Sequence, residues 1–285
     1  MKISDFELYR DLLQRNSGLS LTAERSYLLD SRLTPVARKW GYPTLEAMTL
    51  ALRGVPETRL VEDVIEAMMT NDTAFFRDMR PFVALRESIL PEIVRKRGRH
   101  RHLRIWSAGC SSGQEPFSIA MVLRELQPAL LKGWRIEILG TDISNQMIAK
   151  AKTGHYTQFE VQRGLPVKDL INHFDETDDG WNLHDDVRGL VHFEVFNILD
   201  PMDDLGLFDI IFCRNVLTYF DAKMRDAVLT AMADQLADDG FLFLGDGETP
   251  GEANTPFRMI DERSGLLGFA GREYTLGPQK QTATS

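Results

Sequence analysis

An apolar run beginning at Arg104 stops abruptly in Ser107, Ala108, Gly109, Cys110, Ser111, Ser112 and Gly113, after which apolar residues resume at helical spacing in EPFSIAMVL. A strand that feeds a helix through so short and side-chain-poor a turn is half of a crossover unit, whose next strand lies parallel to the first. The texture repeats downstream. LRIWSA, RIEILGTD, VHFEVFNI, FDIIFCRN and FLFLGDGE read as strands, and EPFSIAMVLREL, NQMIAKAKTG and AKMRDAVLTAMADQLADDG as helices between them. Such alternation implies a parallel sheet covered on both faces, so residues 102–276 are expected to form a doubly wound α/β domain. Within it NHFDETDDGWNLHDDVRG, over about 172–190, is acidic and turn-rich and reads as an insertion or small subdomain.

The first third differs. FELYRDLLQRNSG, LTAERSYLLDSRL and TRLVEDVIEAMMT space apolar residues three and four apart, with turn residues at Asn16 to Gly18, Gly41 to Pro43 and Gly54 to Pro56 between them. Residues 1–70 are therefore expected to be a small all-helical domain, with Pro35 bending or dividing its second helix. Residues 71–101 are expected to be a linker and lid. RKRGRHR, Arg95 to Arg101, reads as a solvated connection, and MTNDTAFFRDMRPF as an aromatic lid that either seals the junction or also closes a ligand site. The polar end, 277–285, is expected to be a disordered tail.

A chain of 285 residues with 43% apolar content has ample material for a core. Its apolar runs fall short of a bilayer span and MKISDFELYR lacks a secretory apolar segment, so a cytoplasmic location without membrane insertion is expected. Cys110 and Cys213 stand far apart with no Cys/His cluster at metal spacing, so neither a disulfide framework nor a metal is expected. A net charge of -9 argues against a nucleic-acid partner.

Ligands of doubly wound sheets sit beyond the carboxyl ends of the strands. At the first of these ends, Ala108, Gly109 and Gly113 are small enough for a ligand to approach the backbone. The spacing is neither G-x-G-x-x-G nor that of a Walker loop, and Glu115 would repel a phosphate. Glu115 either complements the helix dipole or binds the hydroxyls or cationic end of a ligand. Asp142, about 30 residues after the glycine turn, is either a turn residue or a ribose acceptor. Asn197 either presents its amide to a base or ends a strand, and Asn215 and Tyr219 fall where a catalytic loop belongs. Cys213 reads as a small buried residue. A ribose acid beside a turn without phosphate grip suggests S-adenosylmethionine (SAM).

Taken in order, TNDTAFFRD, WSAGCSSGQEPFSIAM, GTDIS, FNILD and FDIIFCRNVLTYFD resemble the chemotaxis-receptor glutamate O-methyltransferases of the CheR type, and the likeness extends to the helical domain with its YLLDSRL. The resemblance implies a class I SAM-methyltransferase sheet with an antiparallel final strand, a helical N-terminal domain and a small β-subdomain. It implies a SAM site lined by Asn71, Thr73, Arg77, Gly109, Glu115, Asp142, Asn197, Ile198, Asn215 and Val216, with S-adenosylhomocysteine as product. Arg77 and Tyr219 would face the transferring methyl. The acceptors would be glutamates in the cytoplasmic helical region of methyl-accepting chemotaxis receptors.

Two departures stand out. The family often reads G-H-S-E where Gly245, Asp246, Gly247 and Glu248 stand, and commonly has two acids where Gln114 precedes Glu115. The first keeps alive a SAM-binding scaffold with little turnover as the alternative. The residues suit ester formation in their own right: a glutamate, with a reference pKa near about 4.3, is already an anion at neutral pH and needs no general base. A dry site favours the charge-diffuse transition state, and Phe75, Phe76 and Tyr219 are candidates to keep it dry. A nucleic-acid methyltransferase using RKRGRHR is disfavoured by the acidic charge and by the absence of aromatics within that run. Arg25, Arg32 and Arg38, with Lys39, fall close to one helical face and form either a solvated stripe or a receptor-docking surface.

Overall fold

The computed structural model describes residues 3–251 and 255–274. The expected tail, 277–285, lies outside the described residues. The chain divides into two units, the first reaching to residue 71 and including 219–224, the second holding the remainder.

The first unit is built on α1 (Ile3–Ser17), α2 (Tyr27–Lys39), α3 (Leu45–Leu52) and α4 (Thr58–Met68). Each buries a stripe at helical spacing, such as Tyr9 and Leu13, Leu29, Leu33 and Val36, or Leu60, Val64 and Met68. The left-handed Gly18 ends α1, and a side chain there would strike Phe220 and Met224 of the returning segment. Ser20 holds the same segment by donating its N–H to the Tyr219 carbonyl at 3.0 Å. α3 is not singled out by apolar spacing; its signal is Thr44, whose side chain accepts from the Ala47 N–H.

Pro35 does not divide α2, which runs through it. The carbonyl that Pro35 leaves without an N–H is that of Ser31, an exposed residue. Nor do the arginines form one stripe. Arg25 and Arg38 are exposed, whereas Arg32 is half-buried and donates to the Met68 and Met69 carbonyls at 2.8 and 3.0 Å, capping α4. Lys39 pairs with Asp63 at 2.8 Å.

The second unit opens with α5 (Arg80–Ala84), a π turn (Leu85–Ile89) and α6 (Leu90–Arg97), followed by β1 (His102–Ala108), α7 (Gln114–Leu126), β2 (Arg135–Asp142) and α8 (Asn145–Thr153). Next come β3 (His155–Tyr156), α9 (Gln158–Gln162), α10 (Val167–His173), β4 (Phe174–Thr177), β5 (Gly180–Leu183), α11 (Asp185–Arg188), β6 (Val191–Val195) and β7 (Phe208–Cys213). After α12 (Ala222–Asp234) the described chain ends in β8 (Leu236–Leu244), β9 (Phe257–Asp261) and β10 (Leu266–Phe269).

The main sheet has the order β6-β2-β1-β7-β8-β10-β9. Its members from β6 to β8 are parallel, and β10 runs against both of its neighbours, as the antiparallel final strand requires. β7 is buried at every position, the pattern of a central strand covered on both faces. The chain steps outward from β1 to β2 and β6, then reverses to β7 on the other side of β1. That reversal marks the switch point where such sheets receive ligands.

Residues 72–101 are not a linker. Phe82, Leu85, Ile89, Leu90 and Ile93 belong to the core of this unit. The basic run supplies the last turn of α6, where cations suit the helix dipole. Arg97 is paired with Asp209 and Asp239, while Arg95 and Lys96 hold Glu92. The aromatic pair is core as well. Phe75 packs edge-on against Tyr156 at 4.9 Å between ring centroids, and Phe76 against Phe82 at 5.2 Å. The π turn precedes Pro91: it closes with the Leu90 N–H bonded to the Leu85 carbonyl, just before the residue that has no N–H to offer.

A second, three-stranded sheet has the order β3-β5-β4. It forms the small β-subdomain, and it draws on His155 and Tyr156, well before the expected start at about 172. Two residues are too short a strand to show alternation.

Candidate active site

Beyond β1 the chain turns through three left-handed positions, Gly109 (φ 72°), Ser111 (φ 50°) and Gly113 (φ 94°). A Cβ on Gly109 would lie 2.4 Å from Val216 Cγ2, so this glycine lets the turns after β1 and β7 touch across the switch point. Gly113 differs from expectation. A Cβ there would meet Ala151, Tyr156 and Phe117 within 3.2 Å, so its small size serves packing at the head of α7 rather than ligand approach. Cys110 and Cys213 are buried, and burial pushes both thiols well above their ordinary pKa, as fits small core residues rather than nucleophiles.

Asp142 ends β2 and is buried. Its Oδ2 accepts the Ser111 N–H at 2.8 Å and its Oδ1 the Ser144 N–H at 2.9 Å. The carboxylate thus has a turn role and is held in one orientation at the strand end. β6 pairs alongside, and the Phe196 N–H donates to the Asp142 carbonyl at 3.0 Å, which brings the half-buried Asn197 and the buried Ile198 close by. Asn197 Oδ1 accepts the Leu199 N–H at 3.1 Å.

Glu115, in the first turn of α7, has a side chain only 13% exposed. Its Oε1 accepts the Ser107 hydroxyl at 2.8 Å and its Oε2 an N–H of Arg214 at 3.1 Å. Burial raises its carboxyl pKa against the opposing pull of Arg214, Ser107 and Arg77. Arg214 follows β7 with a side chain 2% exposed, and from there also donates to Asp78 Oδ2 at 2.6 Å and to the Arg77 carbonyl at 3.0 Å. Arg77 itself donates to the Asp72 carbonyl at 3.0 Å, and Thr73 is half-buried on the same segment.

Asn215 is left-handed (φ 59°). Its N–H donates to Glu248 Oε2 at 2.8 Å, where the Gly245 N–H also donates at 2.7 Å, and Glu248 Oε1 accepts the Thr218 N–H at 3.0 Å. A Cβ on Gly245 would lie 2.6 Å from Asn215 Nδ2. Of the G-D-G-E letters, then, Gly245 and Glu248 shape the turn after β7. The departure at Asp246 and Gly247 falls on exposed residues, Gly247 having open space around it.

Of the expected lining, Thr73, Arg77, Gly109, Glu115, Asp142, Asn197, Ile198, Asn215 and Val216 belong to the second unit, whereas Asn71 and Tyr219 belong to the first. Arg214 and Glu248 escaped the sequence reading. The only signals for them are the arginine beside Asn215 and the last letter of G-D-G-E.

Residues 4–69 match the all-alpha domain of CheR methyltransferases, and residues 71–266 match the SAM-binding domain of CheR methyltransferases. The chain belongs to the CheR methyltransferase family. It is 37% identical to chemotaxis protein methyltransferase Cher2 of Pseudomonas putida over 92% of this chain and 96% of that one. It is 36% identical to chemotaxis protein methyltransferase 1 of Pseudomonas aeruginosa over 93% and 97%, and 38% identical to chemotaxis protein methyltransferase 1 of Vibrio cholerae over 93% and 97%. As a CheR methyltransferase it is a SAM-dependent enzyme. Its donor set fits that cofactor: a fixed carboxylate at the end of β2 suits ribose hydroxyls, and an enclosed acid at the head of α7 suits a cationic amino group. Among the described residues no helix is long and apolar enough to cross a membrane.

Proposed function

We propose that this CheR methyltransferase works in the cytoplasm and esterifies glutamate side chains in the cytoplasmic helical region of chemotaxis receptors. The observation that carries the reading is the pair of fixed acids, Asp142 and Glu115, beside the switch point of the sheet. SAM, when bound, supplies an electrophilic methyl group on a sulfonium. Asp142 would hold the ribose and Glu115 the ammonium of the methionine part, with Asn197 and Ile198 at the adenine. Thr73, Gly109, Asn215 and Val216 would complete the lining.

The acceptor carboxylate is ionised at neutral pH, so no residue of the chain has to remove a proton. The work left to the protein is to exclude water and bring the reacting atoms into line. Arg77 would steady the acceptor oxygen that does not attack, or the methionine carboxylate. Co-expression with candidate receptors, followed by mass spectrometry of receptor peptides, tests the proposal. Methylated glutamates that vanish when the gene is deleted support it. Receptors left unmodified, as a SAM-binding scaffold would leave them, overturn it.

A further inference from the structure

Arg214 is nearly sealed from solvent, yet its Nε has no hydrogen-bond partner among the described residues. A buried guanidinium selected for stability alone would be expected to use every donor, since buried ion pairs contribute little net stability even when complete. What distinguishes this one is what it joins. One head group holds Glu115 in the first turn of α7, the Asp78 carboxylate and the Arg77 carbonyl.

The segment it grips is strained. Phe76 (φ 48°), Asp78 (φ 63°) and Met79 (φ 41°) are left-handed residues with side chains within four positions. Such backbone persists only when its surroundings over-determine it. The contacts that hold this turn include the Phe76 N–H on Ser118 Oγ at 2.9 Å and the two bonds from Arg214. Glu115 and Asp78 also share a single cation. A positive group received at Glu115 reduces that acid's demand on Arg214 and leaves the guanidinium more fully to Asp78 and the Arg77 carbonyl.

We propose that Arg214 is a positioning residue that couples Glu115 to the Arg77–Asp78 turn, so that a cationic group held at Glu115 tightens the backbone carrying Arg77. The coupling deepens the proposed function: it rests on the placement of the methionine ammonium at Glu115, and only its kinetic arm rests on the methyl acceptor.

The test uses the full chain, with S-adenosylhomocysteine as the probe because its ammonium is cationic. In the native protein, ligand should slow amide exchange at residues 76–80 at least about tenfold beyond any global change. Asp78→Asn should bind the probe within about threefold of native but lose that protection, and should lower kcat about tenfold with little change in KM for SAM. Arg214→Lys keeps the charge but lacks the planar fork, and should lose both affinity and protection. Ligand protection at 76–80 that survives in Asp78→Asn overturns the coupling. So does a uniform rise in exchange, with a lower Tm and unaltered kcat, which marks a merely structural contact. A native protein that binds the probe but leaves receptors unmethylated would defeat the proposed function, while the exchange arm would still decide the coupling.

Discussion

Truncating Glu248 to alanine removes the acceptor shared by the Gly245, Asn215 and Thr218 N–H groups. Thr218 is exposed and water replaces its acceptor; Gly245 is buried and Asn215 half-buried, so theirs is not replaced fully. Hydrogen bonds to a charged group contribute about 1.5 to 3 kcal/mol each, and partial hydration of the half-buried site offsets part of two such bonds, leaving a net loss of roughly 2 to 3 kcal/mol. That is a factor of roughly 30 to 150 in the population of the formed turn. Because the turn carries Asn215 and Val216, the apparent Kd for S-adenosylhomocysteine should rise by up to the same factor. Glu248→Gln keeps an oxygen for Gly245 and Asn215 and should stay within about fivefold of native. Asp246→Ala, at an exposed position, should stay within about twofold. Calorimetric titration of all three variants, with Tm measured alongside, gives the comparison. Native affinity in Glu248→Ala would refute the idea that this carboxylate holds the ligand-binding turn.

Asp142→Ala should weaken S-adenosylhomocysteine binding about ten- to a hundredfold by calorimetry, the loss of a charge-assisted hydrogen bond. Burial holds the Glu115 carboxyl above the ordinary carboxylate range, so lowering the pH protonates it early and removes its attraction for an ammonium. Affinity measured from pH 8 downward should therefore begin to fall before ordinary glutamates titrate, near about 4.3. Glu115→Gln should flatten that part of the profile at a lower affinity. Reversing the exposed Arg25 and Arg38 to glutamate should raise KM for receptor at low salt and spare S-adenosylhomocysteine binding. Arg32 is excluded from that test because it caps α4.

The parts of the fold legible in the sequence are those whose signal is local. β7 is buried throughout and, Asp209 apart, reads as an apolar run, and α4 carries its stripe at helical spacing. β3, with two residues, has too little length for any period. Asp142 and Glu115 are legible because their chemistry follows from standing at a strand end and a helix start. Arg214 and Glu248 are not, because each is defined by partners far along the chain: Asp78 lies 136 residues from Arg214, and Asn215 lies 33 from Glu248. The same distance effect misleads at Arg97. Within its own window it is one of a basic run and looks solvated, while its acidic partners arrive from 112 and 142 residues away. Phe75 and Phe76 suggested a lid for a similar reason, since Tyr156 and Phe82, which bury them, do not show in the spacing of the segment itself.

The chemistry of the product is the most direct test of the whole account. Receptor incubated with the purified protein and SAM labelled in its methyl group should take up label that mild alkali releases as methanol, and peptide mapping should place it on glutamate. Label that survives alkali, as an N-methyl group does, would contradict ester formation at this site.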